Sequence, residues 1–208
     1  MTQLAIDTPA AGMPTLPAAA GAAPRVIGLD VAMGTTGIAG AGWTDHVRAK
    51  GQSQHSRFEQ QLTGIGDHIR HADLVVIEGA AYAKNNQGAD ALAGMRWMVR
   101  HDLWRRRIPY VVVTPHQRMI YAVGTAAPKD TDGKRLRGDA LKGALRDAVT
   151  ETYGIHTEGV ARYDEADAYV LMAMGAHWLG WPLAVVGDDR RRALDSVRWP
   201  DRATVVTR

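Results

Sequence analysis

The chain has 208 residues, 46% hydrophobic and 23% charged, with a net charge of +3 and a pI near 9.3. That length suits one domain with a substantial core, and the charge permits a nucleic-acid partner without requiring one. The absence of cysteine excludes disulfide scaffolds, thiolate metal sites and cysteine nucleophiles. No apolar run approaches the ~20 residues of a membrane span. The N-terminus has neither the charged start nor the apolar stretch of a secretory signal, so a cytoplasmic protein is expected.

Residues 1–24 are rich in Ala, Pro, Gly and Thr, almost uncharged, and without helical or strand period. Such a stretch cannot bury enough apolar surface to offset its ordering entropy, which predicts a flexible tail with the fold beginning at Arg25. Val26 to Val31 reads as a strand and Thr36 to Trp43 as its hairpin partner, across a turn at Gly34 to Thr36; a third short strand is expected near Val47. Phe58, Leu62, Ile65 and Ile69, at spacings of three and four, predict a helix over Ser56 to His71. Leu74 to Ile77 is a continuous apolar run, which suits a strand buried on both faces.

A long helix is expected from Gln87 to Arg107. Met95, Met98, Val99 and Leu103 share one face of it and read as core. Trp97 and Trp104 lie on a neighbouring face, as core aromatics or as part of a dimer surface. Pro109 to Val113 reads as another strand, and Pro115 opens a short helix at a favoured first-turn position. Residues 124–138 read as a loop, followed by helices at Asp139 to Tyr153 and Asp164 to Leu179. The extension over residues 181–208 is expected to add a strand at Ala203 to Val206. The fold class is therefore α/β, a mixed sheet of three antiparallel hairpin strands plus parallel strands, flanked by helices, with the domain spanning residues 25–180.

Three places put acids where a fold resists them. Asp30 ends the run Val26-Ile27-Gly28-Leu29, and Glu78 ends Leu74-Val75-Val76-Ile77. Each stands at the C-terminal end of an apolar strand, where open sheets tend to hold ligands. An ionised carboxylate near the interior is costly unless a cation or hydrogen bonds compensate it. Each acid alone equally fits a solvated turn. The third place is Asp164-Glu165-Ala166-Asp167, where Asp164 and Asp167 share a helix face and Glu165 points elsewhere; a capped helix N-terminus explains that motif on its own. Taken together, four oxygen donors on two strands and one helix could hold a pair of Mg²⁺ ions, with Mn²⁺ as a substitute, and so serve phosphodiester hydrolysis.

The ordered set Gly28-Leu29-Asp30 with Gly37, then Ile77-Glu78, then Asp164-Glu165-Ala166-Asp167-Ala168, resembles the RuvC family of Holliday-junction resolvases. Ala83-Lys84-Asn85 and Ala140-Leu141-Lys142 resemble it at matching offsets, and the resemblance runs from about Arg25 to Leu179. It implies a ribonuclease H-like fold and a Mg²⁺-dependent endonuclease. Asp30, Glu78, Asp164 and Asp167 would be the metal ligands, and Lys142 a catalytic cation near the scissile phosphate. Read alone, Lys142 is a solvated helix lysine. The resemblance also implies a homodimer acting on four-way junctions, since such a junction presents two symmetric strands to cut. Two departures stand out. The family's wedge aromatic is replaced by Ala81, with Tyr82 one residue later and able to stack on a base. Where the family has a lysine after the last core strand, this chain has Met119 with Arg118 beside it.

Lys84, Arg118 and the basic residues Lys129, Lys134, Arg135 and Arg137 of the 124–138 loop are further candidates for DNA contact, the loop as a phosphate-tracking element. Other readings of the same residues are a flap or fork nuclease, a ribonuclease H, or a non-catalytic DNA-binding protein on the same fold. Asp30 to Gly37 also resembles the first phosphate loop of actin- and sugar-kinase-type ATPases, which need a second such domain that this length cannot hold.

Overall fold

The protein is described from a computed structural model covering residues 22–51, 53–80 and 88–206. The expected N-terminal tail lies almost wholly outside the described residues. Five strands form one sheet: β1 (Val26–Asp30), β2 (Thr35–Gly40), β3 (Trp43–Arg48), β4 (Leu74–Glu78) and β5 (Tyr110–Val113). Their order is β3-β2-β1-β4-β5, with β1, β2 and β3 antiparallel in sequence and β4 and β5 parallel to β1. This is the mixed sheet of a ribonuclease H-like fold. Helices α1 (Gln54–Ile69) and α2 (Ala89–Arg105) follow β3 and β4, and α3 (Pro115–Val123), α4 (Gly138–Tyr153) and α5 (Arg162–Trp178) follow β5.

Strand periodicity decides which helices cover which face. Side chains two apart share a face. Ile27, Leu29, Val75 and Ile77 pack with Ile65, Ile69, Met95, Val99 and Leu103 from α1 and α2. Val26, Leu74, Val76, Val111 and Val113 face the other way, into a cluster built on α5 with α3 and α4. Helix α5 is apolar all round from Ala168 to Ala176 and nearly all of it is buried, as expected of a helix with sheet on one side and helices on the other.

Two glycines set how closely α5 lies on the sheet. A Cβ on Gly28 of β1 would stand 2.0 Å from the Ala168 carbonyl oxygen, and one on Gly37 of β2 would stand 1.9 Å from that of Asp164. The backbone of α5 therefore rests directly on these two strands, and its first turn lies over β2.

Several boundaries differ from the sequence-based expectation. Thr35 and Thr36 belong to β2 and not to the turn: Thr36 pairs with Val47, and its buried hydroxyl bonds the Ala32 carbonyl and amide, both at 3.2 Å. Strand β2 ends at Gly40, and Trp43 opens β3. Met98 is partly exposed, so its core assignment fails while those of Met95, Val99 and Leu103 hold; Trp97 and Trp104 are 64% and 70% exposed, which removes the core alternative for these two and leaves the surface one.

The expected strand at Ala203 to Val206 is instead a short helix, α7 (Arg202–Val206), which follows α6 (Asp188–Arg191) and a 3₁₀ turn at Arg192–Ser196. β-branched residues suggested a strand there, but Asp201 caps the segment: its Oδ1 accepts from the Ala203 amide and its carbonyl from the Thr204 amide, each at 3.0 Å. The turn seats Val205 in the α5-side core. No helix among the described residues is long and apolar enough to cross a membrane.

Candidate metal centre

Because β1 and β4 are parallel with Gly28 opposite Val76 and Leu29 opposite Ile77, the next residues, Asp30 and Glu78, end adjacent strands side by side. Both continue the rows Val26-Gly28 and Leu74-Val76, which face α5. The sheet thus delivers two acids to the face that α5 covers. Gly37 lets the start of α5 approach, and its first two turns carry Asp164 and Asp167.

Asp30, Glu78 and Asp167 each bring a carboxylate oxygen within 4.8 Å of the others, the one cluster of potential metal ligands of its kind among the described residues. Asp164 lies close enough to Asp30 for the two to repel. Burial, chiefly, and then that repulsion push Asp164 up to about 6, although Lys142 draws it down. Burial, chiefly, and then Asp30 hold Glu78 well above the usual carboxylate range. Asp167 is pushed up to about 7 by burial and by Asp30, against the pull of Arg118. Asp30 is thus the carboxylate that all three others feel.

Such a cluster has too few positive charges for its acids. The donor set is all oxygen and closely spaced, which suits a hard divalent cation such as Mg²⁺ or Mn²⁺, and the unsatisfied carboxylates are what such an ion would neutralise. The residues present fit that group.

The other sequence candidates fall in different places. Lys142 is exposed on α4, with its Nζ 5.6 Å from the Tyr163 ring centroid, at the rim beside Asp164. Arg162 covers the same ring at 4.6 Å. Tyr82 and Lys84 lie outside the described residues. Lys129, Lys134, Arg135 and Arg137 are exposed, as a solvent-facing basic element requires, but the segment is more ordered than a plain loop. Lys129 and Arg135 form an antiparallel bridge, and Asp130 Oδ1 accepts from the Asp132 and Lys134 amides at 3.0 and 2.8 Å. An Asx-type turn at Asp130 closes this small hairpin.

Arg118 is not on the surface at all. It is buried, with its Nη1 3.2 Å from Glu78 Oε2 and paired with Asp167 Oδ2. The sequence held a signal for this: Arg118 stands three and four residues before the buried Tyr121 and Ala122, on the inner face of α3. Glu165 does point away from the cluster, but it is buried. Its two oxygens take Thr44 Oγ1 at 2.9 Å and His46 Nδ1 at 2.8 Å, tying α5 to the edge strand β3. Neither partner was evident from spacing, since both lie some 120 residues away in the chain.

The burial of Asp164 beside Asp30 has a measurable consequence. Its carboxyl is raised in the fold from 3.8 to about 6, so the folded state holds this proton more tightly than the unfolded chain. Stability from this group is complete below the unfolded value and is lost as pH climbs through the folded one. In EDTA, Asp164→Asn should therefore melt a few degrees higher than wild type at pH 7, where ~1 kcal/mol is worth about 2–4 °C. The difference should vanish towards pH 4. A melting difference that is constant with pH would refute this account of the acid.

Comparison with solved structures places this geometry among known folds. The sequence matches no protein-family model and no curated protein. In structure, the chain is similar to RuvC of Thermus thermophilus, with a TM-score of 0.55 and 13% identity over 77% of this chain and 99% of that one. It is also similar to T. thermophilus RuvC in complex with Holliday junction substrate, with a TM-score of 0.52 and 12% identity over 78% and 99% of the two chains.

Proposed function

We propose that this protein is a divalent-metal-dependent endonuclease that cuts branched DNA, resolving four-way junctions by paired symmetric nicks as a homodimer. The observation that carries the reading is the convergence of Asp30, Glu78 and Asp167, from two strands and one helix, on a single partly buried spot. A fold needs no such crowd of acids around a single arginine for its own stability, and the likeness to a structure containing Holliday junction substrate points to the substrate class.

Asp30, Glu78, Asp164 and Asp167 would hold Mg²⁺, which Mn²⁺ can replace. Bound there, the ions would supply an activated water and neutralise charge building on phosphorus. The chain's own residues do the rest. The sheet ends fix Asp30 and Glu78, and α5 fixes the other two acids. Lys142 faces solvent at the rim, where its ammonium can meet a phosphate oxygen. Lys129, Lys134, Arg135 and Arg137 form a basic surface for duplex backbone, read without regard to sequence, with Tyr82 and Lys84 as further DNA contacts.

The test is cleavage of synthetic four-way junctions, flaps, plain duplex and RNA–DNA hybrid, with Mg²⁺ and with EDTA. Paired symmetric nicks in the junction support the proposal. Cutting confined to flaps, or to the hybrid, would replace it with a flap nuclease or a ribonuclease H using the same acids. Lys142→Ala should slow junction cutting by about 10²-fold, the scale of losing one charge-stabilising group, while junction affinity in EDTA changes little. An equal loss in affinity and rate would instead make Lys142 a binding residue.

A further inference from the structure

Arg118 is the only buried lysine or arginine among the described residues, and it stands inside the acid cluster. It reaches there from the inner face of α3, a helix fixed by a reciprocal capping box between Thr114 and Gln117 with Pro115 in the first turn. Its Nη1 engages Glu78 and Asp167, two of the three residues whose oxygens form the candidate metal site. Its buried Nε has no hydrogen-bond partner. Attraction to the acids, Asp30 included, is therefore what offsets the cost of burying this guanidinium. A divalent ion and a guanidinium that need the same carboxylate oxygens cannot both have them at full strength.

We propose that Arg118 is a resident counter-ion that competes with divalent metal for Glu78 and Asp167. On this view it keeps the acids assembled when no metal is bound, and metal entry on that side requires the guanidinium to give up its ion pairs. Arg118 then sets the metal concentration at which the site loads. The inference rests on the reading of these acids as metal ligands. A purely supportive arginine, one that only orients the carboxylates for metal, predicts the opposite response to its removal.

The experiment titrates Mn²⁺ calorimetrically into wild type, Arg118→Gln and Arg118→Lys, with melting curves in EDTA. Arg118→Gln should melt lower than wild type in EDTA yet bind Mn²⁺ more tightly, by a factor in the ~5–150-fold range typical of coupling between two ligands. Arg118→Lys should fall between them. Loss of a merely structural residue would weaken both properties. Unchanged or weaker Mn²⁺ binding by folded Arg118→Gln overturns the proposal.

Should Arg118→Gln fail to fold, wild type decides alone through the side-chain NMR signal of Arg118. Saturating Mg²⁺ should shift that signal and speed exchange of the guanidinium protons, and a signal indifferent to Mg²⁺ overturns the proposal. No Mn²⁺ binding by wild type or either variant overturns this inference and the metal-centre reading together. Tight Mn²⁺ binding with no cleavage of any DNA overturns the nuclease reading only, and the affinity comparison still decides this one.

Discussion

Asp30→Asn is expected to lower junction cleavage on the order of 10³-fold or more, while the protein still folds and still binds junction DNA in EDTA. Asp30 is singled out because it stands at the electrostatic centre of the site: Glu78, Asp164 and Asp167 are raised first by burial and then, each of them, by its charge. An amide of the same shape keeps the strand end packed as before but removes the charge that the other three acids share. Glu78→Gln should behave alike, for its carboxylate is the neighbour on β4. Rates are to be measured at saturating Mg²⁺, with junction affinity measured separately in EDTA. If Asp30→Asn cuts within tenfold of wild type, the carboxylate centre is not where the reaction occurs.

The second large effect is structural. Gly28→Val and Gly37→Val should each cost more than ~3 kcal/mol, beyond the usual range for overpacking a core. The reason is that the added carbons meet backbone and not a flexible side chain. Even a Cβ would stand about 2 Å from a carbonyl oxygen of α5, and the whole helix would have to lift. Gly37 is the more telling of the two. It contacts Asp164 itself, so Gly37→Ala should separate the helical acids from Asp30 and Glu78 and lose activity out of proportion to its loss of stability. Urea denaturation read beside cleavage rate would reveal this, and equal losses in both Gly28→Ala and Gly37→Ala would contradict it.

Much of this architecture is written locally in the chain. The apolar runs Val26 to Leu29 and Leu74 to Ile77 are short, unbroken and followed by an acid, so both the strands and the strand-end positions of Asp30 and Glu78 could be read directly. The spacing of Asp164 and Asp167 places them on one helix face. Other features depended on what lies opposite in space. Trp97 and Trp104 suit a core or an exposed face equally by spacing, and only the packing of α2 shows them outside. Val205 and its β-branched neighbours suit a strand until Asp201 is seen to cap a helix. Arg118 resembles any surface arginine beside a helix start. Its burial follows from the inward face of α3, which periodicity reveals only once that helix is known to lie on α5.

The sheet divides the interior in two, and only the half beneath α5 touches the acid cluster. The half under α1 and α2, apart from the buried Gln61 amide that bonds the Gly34 and Val47 carbonyls, asks only for oily side chains of suitable bulk, a requirement many residue combinations meet equally well. A lineage could rewrite that side almost completely, provided two glycines and a handful of acids stayed where they are. That freedom is why two chains can hold one shape at 13% identity.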